Sequence, residues 1–147
     1  MMNIAFFITP KSNVTYLYDD YTVRQCLEKM RFHGYSAIPV INRQGLYVGT
    51  ISEGDLLWRL IGGDKEDLHI LDLKSTEEIR ISDVLRLDRT PPARITATDE
   101  ELLNKAMDQN FIPVIDDEDV FIGIVTRRTV MRYFADKLAA AEEADHE

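Results

Sequence analysis

The stretch from Ala37 to Asp55, AIPVINRQGLYVGTISEGD, returns with the same plan at Phe111 to Thr129, FIPVIDDEDVFIGIVTRRT. Ile38, Pro39, Val40 and Ile41 recur unchanged as Ile112, Pro113, Val114 and Ile115. Ten positions after each proline stands a glycine, Gly49 and Gly123, and three positions after each glycine stands a hydroxyl residue, Ser52 and Thr126. Two copies with one internal spacing are an internal duplication, so the chain folds as two repeats of one supersecondary unit. A length of 147 residues suits two halves that share a core.

Each copy reads as two strands and then a helix. A short β-branched run closed by polar residues and followed by a second such run is the pattern of consecutive strands joined by a turn, here containing Asn42 and Gly45 in copy one. Proline has no N–H, so Pro39 and Pro113 belong at an edge, at a bulge, or where that donor is not needed. After Ser52 and Thr126 the apolar spacing becomes helical: Leu56, Leu57, Leu60 and Ile61 in one copy, Val130, Met131, Phe134 and Leu138 in the other. Ser52 and Thr126 are therefore expected as N-caps. A helix start also offers amide donors and positive dipole to an anion. Asp55, three residues after Ser52, shares its helix face, and a hydroxyl beside a carboxylate can accept from a ribose diol while the amides receive phosphate.

Thr22 and Gln25 predict a capping box opening a helix with Val23, Cys26, Leu27 and Met30 inward, and Thr98 and Glu101 predict the same before Leu102, Leu103 and Ala106. Val14 to Tyr18 and Ala93 to Thr96 are expected strands, and Ile79 to Arg86 an expected helix. Thr9-Pro10 is expected to end the apolar lead-in that starts the chain. The segment 63–78 reads as a linker, charged but with enough leucine to pack in part. The Ala-rich acidic tail from Ala139 is expected to be frayed helix and then disorder. Arg127 and Arg128 stand at a helix start, where the dipole prefers acidic residues. Two readings stay open: exposed arginines tolerated at a small penalty, or cations that complete an anion site.

A formal charge of −9 disfavours nucleic acid and anionic lipid as partners. The single Cys26 forms no disulfide within the chain and fits a reducing cytoplasm. No run reaches the length of a membrane span. His33, His69 and His146 lack second ligands at metal spacing, and the acidic turn Asp116 to Asp119 lacks the EF-hand order. No nucleophile motif or Gly-rich phosphate loop occurs, so an enzyme, a metal and a cofactor are not expected.

Both copies resemble CBS domains, small modules that occur in tandem pairs and often bind adenine nucleotides. The family's signature of glycine, two apolar residues, Ser or Thr, two variable residues and Asp is met by Gly49, Thr50, Ile51, Ser52, Glu53, Gly54 and Asp55. Copy two follows it to Thr126 but has Thr129 in place of the Asp. The resemblance implies an α/β fold of α+β type: two β-α-β-β-α units with small mixed sheets, related by a pseudo-two-fold. It places domain one at 1–62 and domain two at 79–139, with the tail at 140–147. It further implies a homodimer that senses AMP, ADP or ATP and acts in trans on a protein partner, or a ligand-free adaptor. Among the small CBS-pair receptors for cyclic di-AMP, which the chain also resembles, a Thr-Arg-Arg helix start and an aromatic before the Ala-Ile-Pro-Val strand serve the ligand. Here these are Thr126, Arg127, Arg128 and Tyr35, with Asn13 and Thr15 as base-contacting neighbours. The set implied for nucleotide binding is completed by Ser36, Ala37 and Pro39 and by Asn110, Phe111 and Pro113.

Overall fold

The computed structural model describes residues 3–62, 69, 70, 73–85 and 90–145. Its elements in chain order are α1 (Ile4–Phe7), β1 (Thr9–Pro10), β2 (Leu17–Tyr18), α2 (Val23–His33), β3 (Ala37–Ile41), β4 (Tyr47–Ser52), α3 (Glu53–Leu60), β5 (Ile61–Gly62), β6 (His69–Ile70), α4 (Leu73–Glu78), β7 (Ala93–Arg94), α5 (Asp99–Asp108), β8 (Phe111–Ile115), β9 (Phe121–Thr126) and α6 (Arg127–Asp145). Short 3-10 turns occupy Lys11–Asn13 and Ile81–Asp83. Among the described residues no helix is long and apolar enough to cross a membrane.

The duplication is visible strand by strand. In one sheet, ordered β2-β3-β4, Ala37 pairs with Ser52, Ile38 with Ile51, Pro39 with Thr50 and Val40 with Gly49. In the other, ordered β1-β9-β8-β7, the pairs are Phe111 with Thr126, Ile112 with Val125, Pro113 with Ile124 and Val114 with Gly123. Both hairpins shift register at the same place, after Val40 and after Val114. The prolines sit in central strands, where the third expected option applies. The parallel neighbours β2 and β7 begin pairing one residue later, at Val40 and Val114, so no ladder partner asks for the missing N–H.

The chain forms two compact units, Thr15–Thr90 and the combination of Met1–Val14 with Pro91–Glu147. The first fourteen residues thus join the second copy, because β1 pairs antiparallel with β9 through Thr9 to Ile124 and Pro10 to Gly123. Thr9-Pro10 ends α1, as expected, yet it also makes a strand. Pro10 is tolerated there because β1 is an edge. Residues 79–85 stay with the first copy: Val23 N donates to Ile79 O at 2.8 Å, and Ile81 is fully buried with Leu17, Val23, Cys26, Ile38, Val40 and Ile51. Burial of this apolar set, at roughly 25 cal/mol per Å², drives the unit's collapse. The second unit buries Ile4, Leu102, Ile112, Val114, Val125 and Val130 together.

Several local expectations change. The strand expected at Val14 to Tyr18 is confined to Leu17–Tyr18, since Lys11–Asn13 turns before it, and that expected at Ala93 to Thr96 is confined to Ala93–Arg94. In place of a helix at Ile79 to Arg86 there is the 3-10 turn Ile81–Asp83, residue 86 lying outside the described residues. At the start of the linker β5 pairs with β6, and a short helix, α4, forms near its end. The Thr22 capping box is complete, but Thr98 caps one-sidedly, because the Glu101 side chain lies 3.9 Å from Lys105 Nζ one turn on. The tail is helical through Asp145, consistent with the high helix propensity of Ala and Glu, while His146 lies outside the described residues.

Candidate nucleotide site

Each copy's conserved-plan corner, where the second strand of the hairpin turns into a helix, gathers most of the expected site residues of that copy. In the Thr15–Thr90 unit, Ser52 Oγ accepts from Asp55 N at 3.2 Å and Asp55 Oδ2 accepts from Ser52 N at 3.0 Å, a reciprocal capping box. Glu53 N donates to Ser36 O at 2.9 Å, which ties the corner to the residue before β3, and Ala37 pairs directly with Ser52. Pro39 is buried beneath this layer. The ribose role expected of Asp55 is thereby narrowed: its side chain is only 6% exposed and one carboxylate oxygen already caps α3. The amides are narrowed too. Those of Glu53 and Asp55 are engaged, which leaves Gly54 as the one of the first three helical amides that the corner does not use.

Tyr35 precedes this corner and lies flat on His33, with ring centroids 5.1 Å apart and planes 8° apart, while Phe32 meets His33 edge-on. At 44% exposure Tyr35 offers a ring face on which a base could stack. It lines a cleft of about 680 Å³ between α2 and the first turn of α3, together with Leu27, Met30, Gly54, Leu56 and Leu57. Thr15, half-buried, precedes β2 in the same unit.

The second unit repeats the corner with different groups. Arg127 N donates to Asn110 O at 2.9 Å, the counterpart of the Glu53 to Ser36 bond, and Phe111 pairs with Thr126. Thr126 Oγ1 accepts from Thr129 N at 3.2 Å and lies 2.9 Å from Thr129 Oγ1, so a hydroxyl pair stands where the first copy has hydroxyl and carboxylate. Pro113 is buried. The two arginines separate in role. Arg127 is half-buried and its Nε donates to Ala106 O at 2.7 Å, which ties α6 to α5, whereas Arg128 is exposed. Asn13 is exposed in the Lys11–Asn13 turn, which packs near β9.

Thr129 lines a second cleft, of about 550 Å³, with Phe7, Arg132, Tyr133, Asp136 and Lys137. Tyr133 Oη donates to Asp99 Oδ2 at 2.9 Å, with Lys137 Nζ 3.8 Å from the same oxygen. Sequence reasoning passed over Arg132, Tyr133 and Lys137. Their signal was the spacing 129, 132, 133, 136, 137, a single helical face. Among the described residues no group of three or more His, Cys, Asp or Glu could hold a metal. Cys26 is buried and its thiol is pushed up to about 12 by desolvation, so it packs and does not react.

The model of the CBS domain matches residues 7–62 and again 81–136, and the chain belongs to the CBS-domain family as a tandem pair. It is 29% identical over 99 residues to "Cyclic di-AMP receptor B" of Bacillus subtilis (strain 168), a match that covers 67% of this chain and 63% of that protein. The fold is also that of the CbpB protein of Listeria monocytogenes in complex with c-di-AMP, with TM-score 0.79, 22% identity and coverage of 95% and 99%. CBSX2 in complex with AMP superposes with TM-score 0.70 and 21% identity, covering 92% of this chain and 98% of that one.

Proposed function

We propose that this CBS pair is a regulatory sensor that reversibly binds an adenine-containing nucleotide and, as a homodimer, passes its occupancy to a protein partner, without catalysing a reaction. The ligand best supported is cyclic di-AMP, and the observation that carries it is the corner Thr126 to Thr129. A cyclic dinucleotide has no free 2′,3′ diol, so a corner without a carboxylate suits it. Its phosphates suit Arg128, exposed at the helix start, and the remaining guanidinium donors of Arg127, whose orientation the Ala106 bond fixes. The likeness to a cyclic di-AMP receptor supports the same ligand class. Within the same unit Asn13, exposed in the turn that packs near β9, supplies a polar neighbour for a base.

A second reading, AMP, ADP or ATP at the Ser52 corner, is favoured by one specific observation: only that copy keeps the carboxylate, Asp55, beside the hydroxyl. Calorimetric titration of the full chain with cyclic di-AMP and with AMP tests both. Micromolar binding of cyclic di-AMP with AMP silent supports the first reading. The reverse result supports the second, and no heat with either at millimolar ligand, on protein freed of carried-over nucleotide, ends the sensor reading.

A further inference from the structure

Helix α2 ends in a turn that folds the next aromatic ring back over the last one. Gly34 takes the left-handed conformation, φ 70°, and both Gly34 N and Tyr35 N donate to Met30 O, at 2.8 and 3.2 Å. A Cβ on Gly34 would meet nothing within 4 Å, so its φ alone calls for glycine. The reversal lays the Tyr35 ring flat on the imidazole of His33, and Phe32 meets that imidazole edge-on at 4.9 Å between centroids.

The backbone of Tyr35 is anchored on both sides, by its own bond to Met30 O and by the bond from Glu53 N to Ser36 O. Its side chain is not: the hydroxyl enters no hydrogen bond among the described residues, and the ring is exposed. The stack on His33 is therefore what fixes the plane of the ring. It also covers one face, so that a planar ligand can add only to the other. A free tyrosine has to be ordered when a base lands on it, and a ring already held in place avoids that cost. Tyr35 lines the same cleft as Gly54, whose amide the Ser52 corner leaves open, so a base on the ring and a phosphate on the amide fall within one cleft. Copy two has no such platform. At the position of Tyr35 stands Gln109, buried, with its amide spent on Pro91 O and Phe111 O, and at that of His33 stands Met107.

We propose that His33 is a positioning residue for the base of the ligand. It acts through Tyr35, making a purine the third layer of an imidazole, phenol and base stack in the Thr15–Thr90 unit. The inference rests on the adenine-nucleotide reading above and deepens it, by assigning recognition of the base to the end of α2.

Calorimetric titration of the full chain and its variants with AMP and with cyclic di-AMP decides it, the reference being whichever of the two the wild type binds. His33→Ala should weaken that ligand about three- to tenfold. His33→Phe, which restores a flat ring beneath Tyr35, should return the affinity to within about twofold of wild type. His33 is exposed, so both variants should keep the wild-type thermal midpoint. Tyr35→Ala should weaken binding at least as much as His33→Ala, and combining the two should cost nothing further, because the imidazole then has no ring to hold. His33→Ala binding as tightly as wild type, His33→Phe binding no better than His33→Ala, or an added loss in the double variant would each overturn the inference while the nucleotide reading stands. A wild type that binds neither ligand removes both.

Discussion

At the corner of β4 and α3, Ser52 and Asp55 exchange two hydrogen bonds through hydroxyl, carboxylate and backbone; at the matching corner of β9 and α6, Thr126 and Thr129 keep one of these and replace the other with a hydroxyl contact. The difference extends outward. Tyr35, exposed on His33, has buried Gln109 as its counterpart, whose Nε2 donates to Pro91 O at 3.2 Å, and Glu53 has Arg127. Below the corner the two glycines also part ways. A Cβ on Gly49 would meet the Leu85 side chain at 3.0 Å, but one on Gly123 would lie 2.2 Å from the Thr9 carbonyl oxygen. A duplicated backbone has thus been kept while its two corners diverged in charge, and only the second copy has a strand laid across its glycine.

The largest expected effect breaks the comparison at the glycines. Their φ values, 153° and 158°, are nearly equal, so conformational strain is common to both and the neighbours decide. Gly123→Ala should cost about 3 kcal/mol or more, or expel β1, because a backbone oxygen cannot yield, whereas Gly49→Ala should cost about 1 kcal/mol as Leu85 shifts. Urea unfolding of both variants checks this, and equal losses would mean that β1 does not clamp β9. Next in size is the ligand. Replacing Arg127 and Arg128 together by Ala should weaken cyclic di-AMP binding by about 1.5 to 3 kcal/mol, read by calorimetry, and should leave AMP binding at the Ser52 corner unchanged. Arg128→Ala alone should spare stability. Arg127→Ala should not, since it also releases the Ala106 carbonyl.

Asp55→Ala should destabilise by about 1 to 2 kcal/mol, as the Ser52 amide loses its partner in a part-buried place. The reciprocal change, Thr129→Asp, rebuilds the capping box in copy two and should stabilise by roughly 0.5 to 1 kcal/mol. If both substitutions leave the thermal midpoint unmoved, the corners are equivalent in energy despite their chemistry. The smallest effect at neutral pH concerns Cys26, whose counterpart, counted from the Thr22 and Thr98 caps, is the buried Leu102, so a thiol reagent reads copy one alone. With its folded value raised to about 12 from an ordinary 9.0, the neutral thiol is stabilising below the unfolded value, and that contribution is lost as pH rises from there toward the folded one. Native protein should resist alkylation at pH 8 and become reactive only with denaturant.

Much of this architecture was legible because its signals are local. The repeated Ile-Pro-Val-Ile run carries its pairing and its register shift in both copies, and the hydroxyls at Thr22, Ser52, Thr98 and Thr126 cap four helices where spacing placed them. What escaped depends on distance along the chain or on competition between partners. Thr9-Pro10 carries no mark of a strand, since its pairing is supplied wholly by β9. Glu101 fits a capping box, yet Lys105 one turn on draws its carboxylate away. At the site, residue types were readable but commitments were not. No pattern announces that Asp55 spends an oxygen on a cap or that Arg127 reaches back to Ala106.

The pairing of β1 with β9 also sets an order of events during synthesis. The Thr15–Thr90 unit is continuous, so all of its contacts are available once those residues have emerged. Thr9 must wait for Ile124, more than a hundred residues later, which at ribosomal speeds of about 5 to 20 residues per second is a delay on the order of ten seconds. Throughout that interval the lead-in, with Ile4 and Phe7 meant for the second core, has nothing to pack against. Proteolysis of stalled nascent chains should find residues 15–90 protected first, and the opening residues among the last to become resistant.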